Sequence, residues 1–141
     1  METRVVNEGL ILKELRRICL ALPGANEIRT WGHPTFRAGK KTFAVLDEYQ
    51  GQLSIAFKVS ASHQYLFLKD SRFFRTPYIG RHGWVSLKTA GRLDWTEVRH
   101  LLIESYRLVA SKKTLAQLES SHAQTDRTKQ RRNRRRNPPR P

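Results

Sequence analysis

Arg81 and His82 stand side by side in the nine-residue stretch Pro77-Tyr78-Ile79-Gly80-Arg81-His82-Gly83-Trp84-Val85, flanked by two glycines and two large aromatics. A guanidinium and an imidazole there could hold a phosphate or another small anion. Proline fixes φ at the start of the stretch, Gly80 and Gly83 permit positive φ, and Trp84 offers an anchor for burial. The same chemistry recurs at His33 and Lys58, so that His33, Lys58, Arg81 and His82 form a candidate anion pocket. Further cations fall on strand-like runs or the loops between them: Arg29, Arg37, Lys40, Lys41, Arg72, Arg75 and Lys88. Lysine and arginine neutralise phosphates, and interleaved aromatics such as Trp31 and Tyr78 can stack on unpaired bases. The competing reading has these cations solvating a surface while Trp31 and Tyr78 sit in the core. Of the set, Arg37, Lys40, Lys41, Lys58, Arg81 and His82 are the candidate nucleic-acid contacts of the folded region.

Catalytic and metal chemistry have less to stand on. There is no nucleophile elbow, no phosphate-cradling glycine loop and no HExxH pair. Asp47 and Glu48 read as turn residues, and the remaining acids fall mostly on helix exteriors. His33, His63 and His82 could in principle be brought together as metal ligands, yet scattered histidines serve more often as hydrogen-bonded structural groups. No catalytic residue, metal or cofactor is expected.

The elements that must position these groups follow from periodicity. Leu10, Ile11, Leu12, Leu15, Ile18, Cys19 and Leu22 share one side of an amphipathic helix from about Glu8 to Leu22, with Asn7 as N-cap and Pro23-Gly24 as stop. Glu27 to Trp31 alternates as a half-buried strand. Thr42–Leu46 and Gln52–Val59 read as further strands around a turn at Asp47–Gly51, completing a three-stranded meander. Leu53, Ile55, Phe57 and Val59 alternate against Ser54, Ala56 and Lys58. Gly39-Lys40-Lys41 marks either a tight turn between two short strands or a bulge within one. A short helix capped by Ser62 follows, then a last strand from Trp84 to Thr89, or a pair, and then a helix capped by Asp94. Residues 115–118 suggest one more weak helical turn.

Charge is the outstanding global property. The 141 residues carry 27 Lys and Arg against 12 Asp and Glu, a formal net charge of +15. Residues 127–141 hold eight of those cations and no acid, so the preceding 126 residues still carry an excess of seven. Such a balance favours nucleic acid, anionic membranes or acidic proteins as partners through long-range attraction. Residues 1–120 read as one domain. Residues 121–141 read as a disordered tail, because Ser, Gln, Asn, Arg and Pro cannot bury enough apolar surface to offset ordering entropy. Arg131, Arg132, Arg134, Arg135 and Arg136 within it would bind polyanions with little sequence preference. A single cysteine excludes an intramolecular disulfide, and with no apolar run long enough to span a bilayer the chain reads as a cytoplasmic protein with no membrane partner.

Taken together, Leu22-Pro23-Gly24-Ala25, Trp31-Gly32-His33-Pro34-Thr35-Phe36, Gly39-Lys40 with Phe43-Ala44, Lys58, Pro77-Tyr78 with Arg81-His82-Gly83-Trp84-Val85, and Ser105 to Ala110 resemble the MmcQ/YjbR family. The resemblance covers residues from about 8 to 113. It implies a two-layer α+β domain, an antiparallel sheet with helices on one face, in the order helix, three strands, helix, two strands, helix. It also implies DNA binding, since members are commonly described as DNA-binding proteins of a double-wing type. The expected function is therefore nucleic-acid binding, DNA ahead of RNA, through backbone contacts from the domain and non-specific contacts from the tail. The alternative is a non-catalytic protein-interaction or small-anion-binding domain whose tail alone touches nucleic acid.

Overall fold

The computed structural model describes residues 2–121. The expected disordered tail, with its arginines from Arg131 to Arg136, lies outside the described residues. The chain divides into a unit ending at Ala110 and a second that begins at Ser111. Within the second, residues 112–121 are helical, longer than the single weak turn anticipated there, and the Ser111 hydroxyl accepts from the Thr114 N–H to cap the start.

The first unit runs α1 (Glu2–Cys19), β1 (Ala25–Thr30), β2 (His33–Ala38), β3 (Lys41–Tyr49), β4 (Gln52–Lys58), α2 (Ala61–Phe67), β5 (Phe73–Arg75), a 3-10 turn (Gly80–His82), β6 (Trp84–Lys88) and α3 (Trp95–Val109). All six strands form one antiparallel sheet in the order β1-β2-β3-β4-β6-β5. The α+β class and the antiparallel sheet stand as expected. The strand count before α2 is four rather than three, because Gly39 takes φ 61 and turns the chain between β2 and β3, while a register shift at Phe36/Arg37 adds a bulge just beyond. Of the two alternatives for Gly39-Lys40-Lys41, the tight turn between two short strands occurs, and the bulge at Phe36/Arg37 lies outside that segment.

Three further boundaries differ for local reasons. Helix α1 is already formed at Glu2, so Asn7 is an interior residue and not its cap. The turn after β3 is Gln50-Gly51, both at positive φ, a two-residue hairpin loop whose twist matches its strands. Asp47 and Glu48 consequently belong to β3. The cap of α2 is Ser60, which accepts from the His63 N–H, two residues ahead of the anticipated Ser62.

Alternation along the strands builds the core on one face of the sheet. Phe36, Ala44, Leu46, Ile55, Phe57, Val85, Leu87 and Phe73 point to this side and are buried. Against them lie the buried Val98, Leu102, Ser105 and Tyr106 of α3, and α1, with Ile11, Leu15, Ile18 and Cys19 buried, packs on α3. Phe67 of α2 joins the same layer, edge-on to Phe57 at 5.6 Å and 5.0 Å from Phe73. Polar bonds fix the seams. Arg16 forks onto Glu27 at 2.8 and 3.0 Å, the Tyr106 hydroxyl donates to the Pro23 carbonyl at 2.5 Å, and the Ser105 hydroxyl donates to the Lys58 carbonyl at 2.6 Å. Arg72 bridges Asp70 and Glu97, and its hydrogen bond holds the Asp70 carboxyl below the usual carboxylate range.

Cys19 is fully buried, and burial, reinforced by the charge of Glu27, pushes its thiol well above its ordinary pKa. A group that holds its proton more tightly when folded stabilises fully below its unfolded pKa and loses that contribution as pH rises beyond it. Stability should therefore decline above about pH 9, by at most about 1.4 kcal/mol per pH unit from this thiol. Cys19→Ala is expected to flatten that alkaline limb in urea titrations, and a thiol reagent should label native Cys19 only on unfolding; rapid labelling of the folded protein would refute the assignment.

Candidate functional site

Because the helices occupy one face of the sheet, the residues of opposite parity form a second face on which no helix of the first unit packs. Strand register carries one row right across it: Ile28, Thr35, Val45, Ala56, Ser86 and Phe74. The central side chains in this row are small, so the face sinks into a trough of about 680 Å³. Its lining is mainly apolar, with several hydroxyls in or beside it. Thr35 donates to the His33 carbonyl at 3.0 Å, and the Thr76 and Ser86 hydroxyls share a 2.9 Å hydrogen bond. Ser54, on the same face beside Asp47, buries a hydroxyl that has no hydrogen-bond partner among the described residues.

Three segments supply the walls. The β1–β2 hairpin contributes Trp31 and His33, the end of β3 contributes Asp47 and Tyr49, and the stretch from Thr76 to Trp84 contributes Pro77, Tyr78, Ile79 and the buried Trp84. His33 Nε2 stands 3.5 Å from Asp47 Oδ1 because the two residues are register partners two positions beyond Thr35 and Val45. Trp31 is 92% exposed and Tyr78 88% exposed, which overturns a core role for either. Both sit at positive φ, 53° and 66°, a region bulky side chains rarely occupy.

The Arg81-His82 loop is pinned from below. Gln64 of α2 donates to the Gly80 and Trp84 carbonyls at 2.6 and 3.1 Å, and the Val59 N–H donates to the Gly83 carbonyl at 2.8 Å. Lys58 Nζ donates to the His82 carbonyl, and Arg81 Nε donates to His82 Nε2 at 3.3 Å. Gly83 sits at φ 83, and a methyl group there would stand 2.6 Å from the Val59 carbonyl oxygen, so no other residue fits this turn without displacing it.

Antiparallel pairing decides which candidate residues meet. The end of β2, the start of β3, the end of β4, the start of β6 and the end of β5 all fall at one edge of the sheet. Arg37, Lys40, Lys41, Lys58, Arg75, Arg81 and His82 therefore lie along a single margin, although they span 46 positions of sequence. None of these cations pairs with a carboxylate among the described residues. Arg37 instead donates to Asn26 Oδ1 at 2.9 Å. The anticipated anion pocket is only partly assembled: Lys58, Arg81 and His82 meet, whereas His33 lies toward the other end of the sheet beside Asp47. Arg72 is engaged by its two carboxylates, and Lys88 belongs to the end opposite the cationic margin.

Sequence reasoning missed Asp47 and Gln64. Asp47 was hidden by assigning the turn too early; counting back from Gly51 as the second turn residue restores it to the face of Val45. Gln64 carried no signal, since its role depends on where α2 docks.

A family model described as YjbR matches residues 20–108. Among solved structures, the crystal structure of Deinococcus radiodurans protein DR2400, a DUF419 domain, aligns with a TM-score of 0.62 at 22% identity, covering 72% of this chain and 80% of that one. That likeness is one of fold. No curated protein matches the sequence. Among the described residues, no helix is long and apolar enough to cross a membrane.

Proposed function

The chain belongs to the YjbR family, and from that premise we propose that it is a non-catalytic, cytoplasmic DNA-binding module. The domain grips the phosphate backbone with the cationic margin of its sheet, and the arginine-rich stretch from Arg131 to Arg136 adds affinity without sequence preference. One observation carries this reading: Arg37, Lys40, Lys41, Lys58 and Arg81 gather at one edge with no carboxylate to neutralise them among the described residues. The register-adjacent acid at that end, Glu27, is held by Arg16. Unneutralised charge concentrated on one margin of a pleated sheet presents a line of donors to a line of phosphates.

The meeting of Lys58, Arg81 and His82 favours one alternative, a small-anion site at the same edge, with only the tail touching nucleic acid. A salt titration of fluorescence anisotropy separates the two, using a labelled duplex and a labelled single strand, with the full chain and a chain ending at Ser120. Each duplex phosphate neutralised contributes about 0.9 to the slope of log K against log salt. Retention of a slope of several units by the shortened chain supports the proposal. Loss of all binding with the tail assigns the domain to the alternative.

A further inference from the structure

Resting on the nucleic-acid reading, we infer that the trough on the face that no helix of the first unit covers is a base-binding site, which takes unpaired bases of a single strand by stacking them on Trp31 and Tyr78. The cationic margin would hold the backbone of any strand; the trough adds a requirement for exposed base faces.

The argument starts from exposure. Trp31 and Tyr78 are the two most solvent-exposed large apolar side chains described, at 92% and 88%, ahead of Tyr65 at 66%. They come from segments 47 residues apart and border the same trough. Each is held at positive φ, and such strain persists where the surrounding fold imposes it and clusters at ligand-contacting positions. The backbone around them enforces this. Arg29 donates to the Gly32 carbonyl at 3.0 Å across the Trp31 turn, and the Ile79 N–H donates to the Pro77 carbonyl at 2.8 Å across Tyr78. Two large rings are thus presented to solvent by rigid turns.

The trough between the segments has a mainly apolar lining with a few hydrogen-bonding groups along it, as a planar base with polar edges requires. Its 680 Å³ is within the range of sites for small planar ligands. Ring faces lie at the rim, while hydrogen-bonding edges lie along the walls and floor: the half-exposed His33, its neighbour Asp47, and the threonines at 30 and 42. Stacking surface with polar groups at the edge is how sheet-based modules take unstacked bases. Trp84, which lines the trough, is the register partner of Lys58 at the cationic margin, and Tyr78 precedes it at the same end of the sheet, so a strand crossing the face from Trp31 to Tyr78 would bring the phosphates of its Tyr78 end to that margin. A duplex, whose bases are already stacked, could use the margin and not the trough.

The test uses the full chain, with anisotropy of a labelled oligothymidylate of about 15 nucleotides, a labelled abasic strand of the same length, and a duplex. The oligothymidylate should bind more tightly than the abasic strand and quench tryptophan fluorescence. Trp31→Ala and Tyr78→Ala should each weaken oligothymidylate binding roughly five- to a hundredfold while leaving abasic and duplex affinity unchanged. Trp31→Phe, which keeps a ring, should retain most of the affinity. Both side chains are exposed, so unchanged thermal midpoints verify that the variants fold. Equal affinity for oligothymidylate and abasic strand, or equal weakening of both by the variants, would overturn the base site while leaving backbone binding intact. Quenching by free thymidine monophosphate at concentrations matching the strand's own affinity would replace the strand by a free nucleotide and overturn the proposal in that direction. Failure of every nucleic acid to bind would instead remove the reading on which it rests.

Discussion

Replacing Lys40, Lys41 and Arg81 together by alanine is expected to lower the duplex affinity of the full chain by roughly two orders of magnitude at 0.1 M salt and to reduce the salt slope by about 2.7. The three residues come from the β2–β3 turn and the 3-10 turn before β6, which strand pairing brings to one margin. All three are exposed, and the Arg81 contact with His82 Nε2 is a 3.3 Å surface interaction, so their removal leaves the core untouched. Lys58 is left in place because its ammonium group also fastens the His82 carbonyl. An unchanged slope would show that these cations contact no phosphate and would move the domain's role to small anions or protein partners. Because the effect is counterion release, it should shrink as salt is raised; a salt-independent loss would point to a disturbed fold.

The largest effect on stability is expected at Tyr106. Its ring is fully buried in α3, edge-on to Phe43 at 5.6 Å, and its hydroxyl reaches the Pro23 carbonyl 83 positions away. It thereby ties α3 both to the sheet and to the turn that follows α1. Tyr106→Ala removes the ring, leaves a cavity and orphans the Pro23 carbonyl; the loss should be about 3–5 kcal/mol. Domains of this size have only about 5–15 kcal/mol in total, so the thermal midpoint should fall by more than about 10 °C. Tyr106→Phe keeps the packing and loses one hydrogen bond, worth about 0.5–1.5 kcal/mol. Similar destabilisation by both variants in urea titrations would mean that the hydroxyl, and not the ring, carries the site.

Much of this architecture was legible in the residues. Helix α3 and its Asp94 cap, the alternation of Leu53, Ile55, Phe57 and Val59, and the burial of Cys19 and Trp84 rest on periods of 3.6 or 2 and on local turn chemistry, while the family resemblance rests on the order and spacing of its motifs. Where reading fell short, the missing information was conformational or non-local. Nothing in the residue type of Trp31 says that it takes φ 53 and faces solvent; that follows from the two-residue turn it forms with Gly32, which itself follows from the pairing of Thr30 with His33. Leu108 is apolar yet exposed, because the sheet meets α3 along Val98, Leu102 and Tyr106 and Leu108 drifts off that line.

The sequence by itself determined the class of the protein: the main helices and the β3 and β4 strands, the alternation that buries one face of β4, and the excess of cations available for a polyanion, with its motifs pointing to the family. Only the tertiary structure decided that Arg37, Lys40, Lys41, Lys58 and Arg81 share one margin, that His33 leaves them to stand beside Asp47, and that Trp31 and Tyr78 border one trough. Periodicity is a property of neighbours a few residues apart and fixes faces. Which strand ends coincide depends on pairings made across the whole sheet, between residues far apart in the chain.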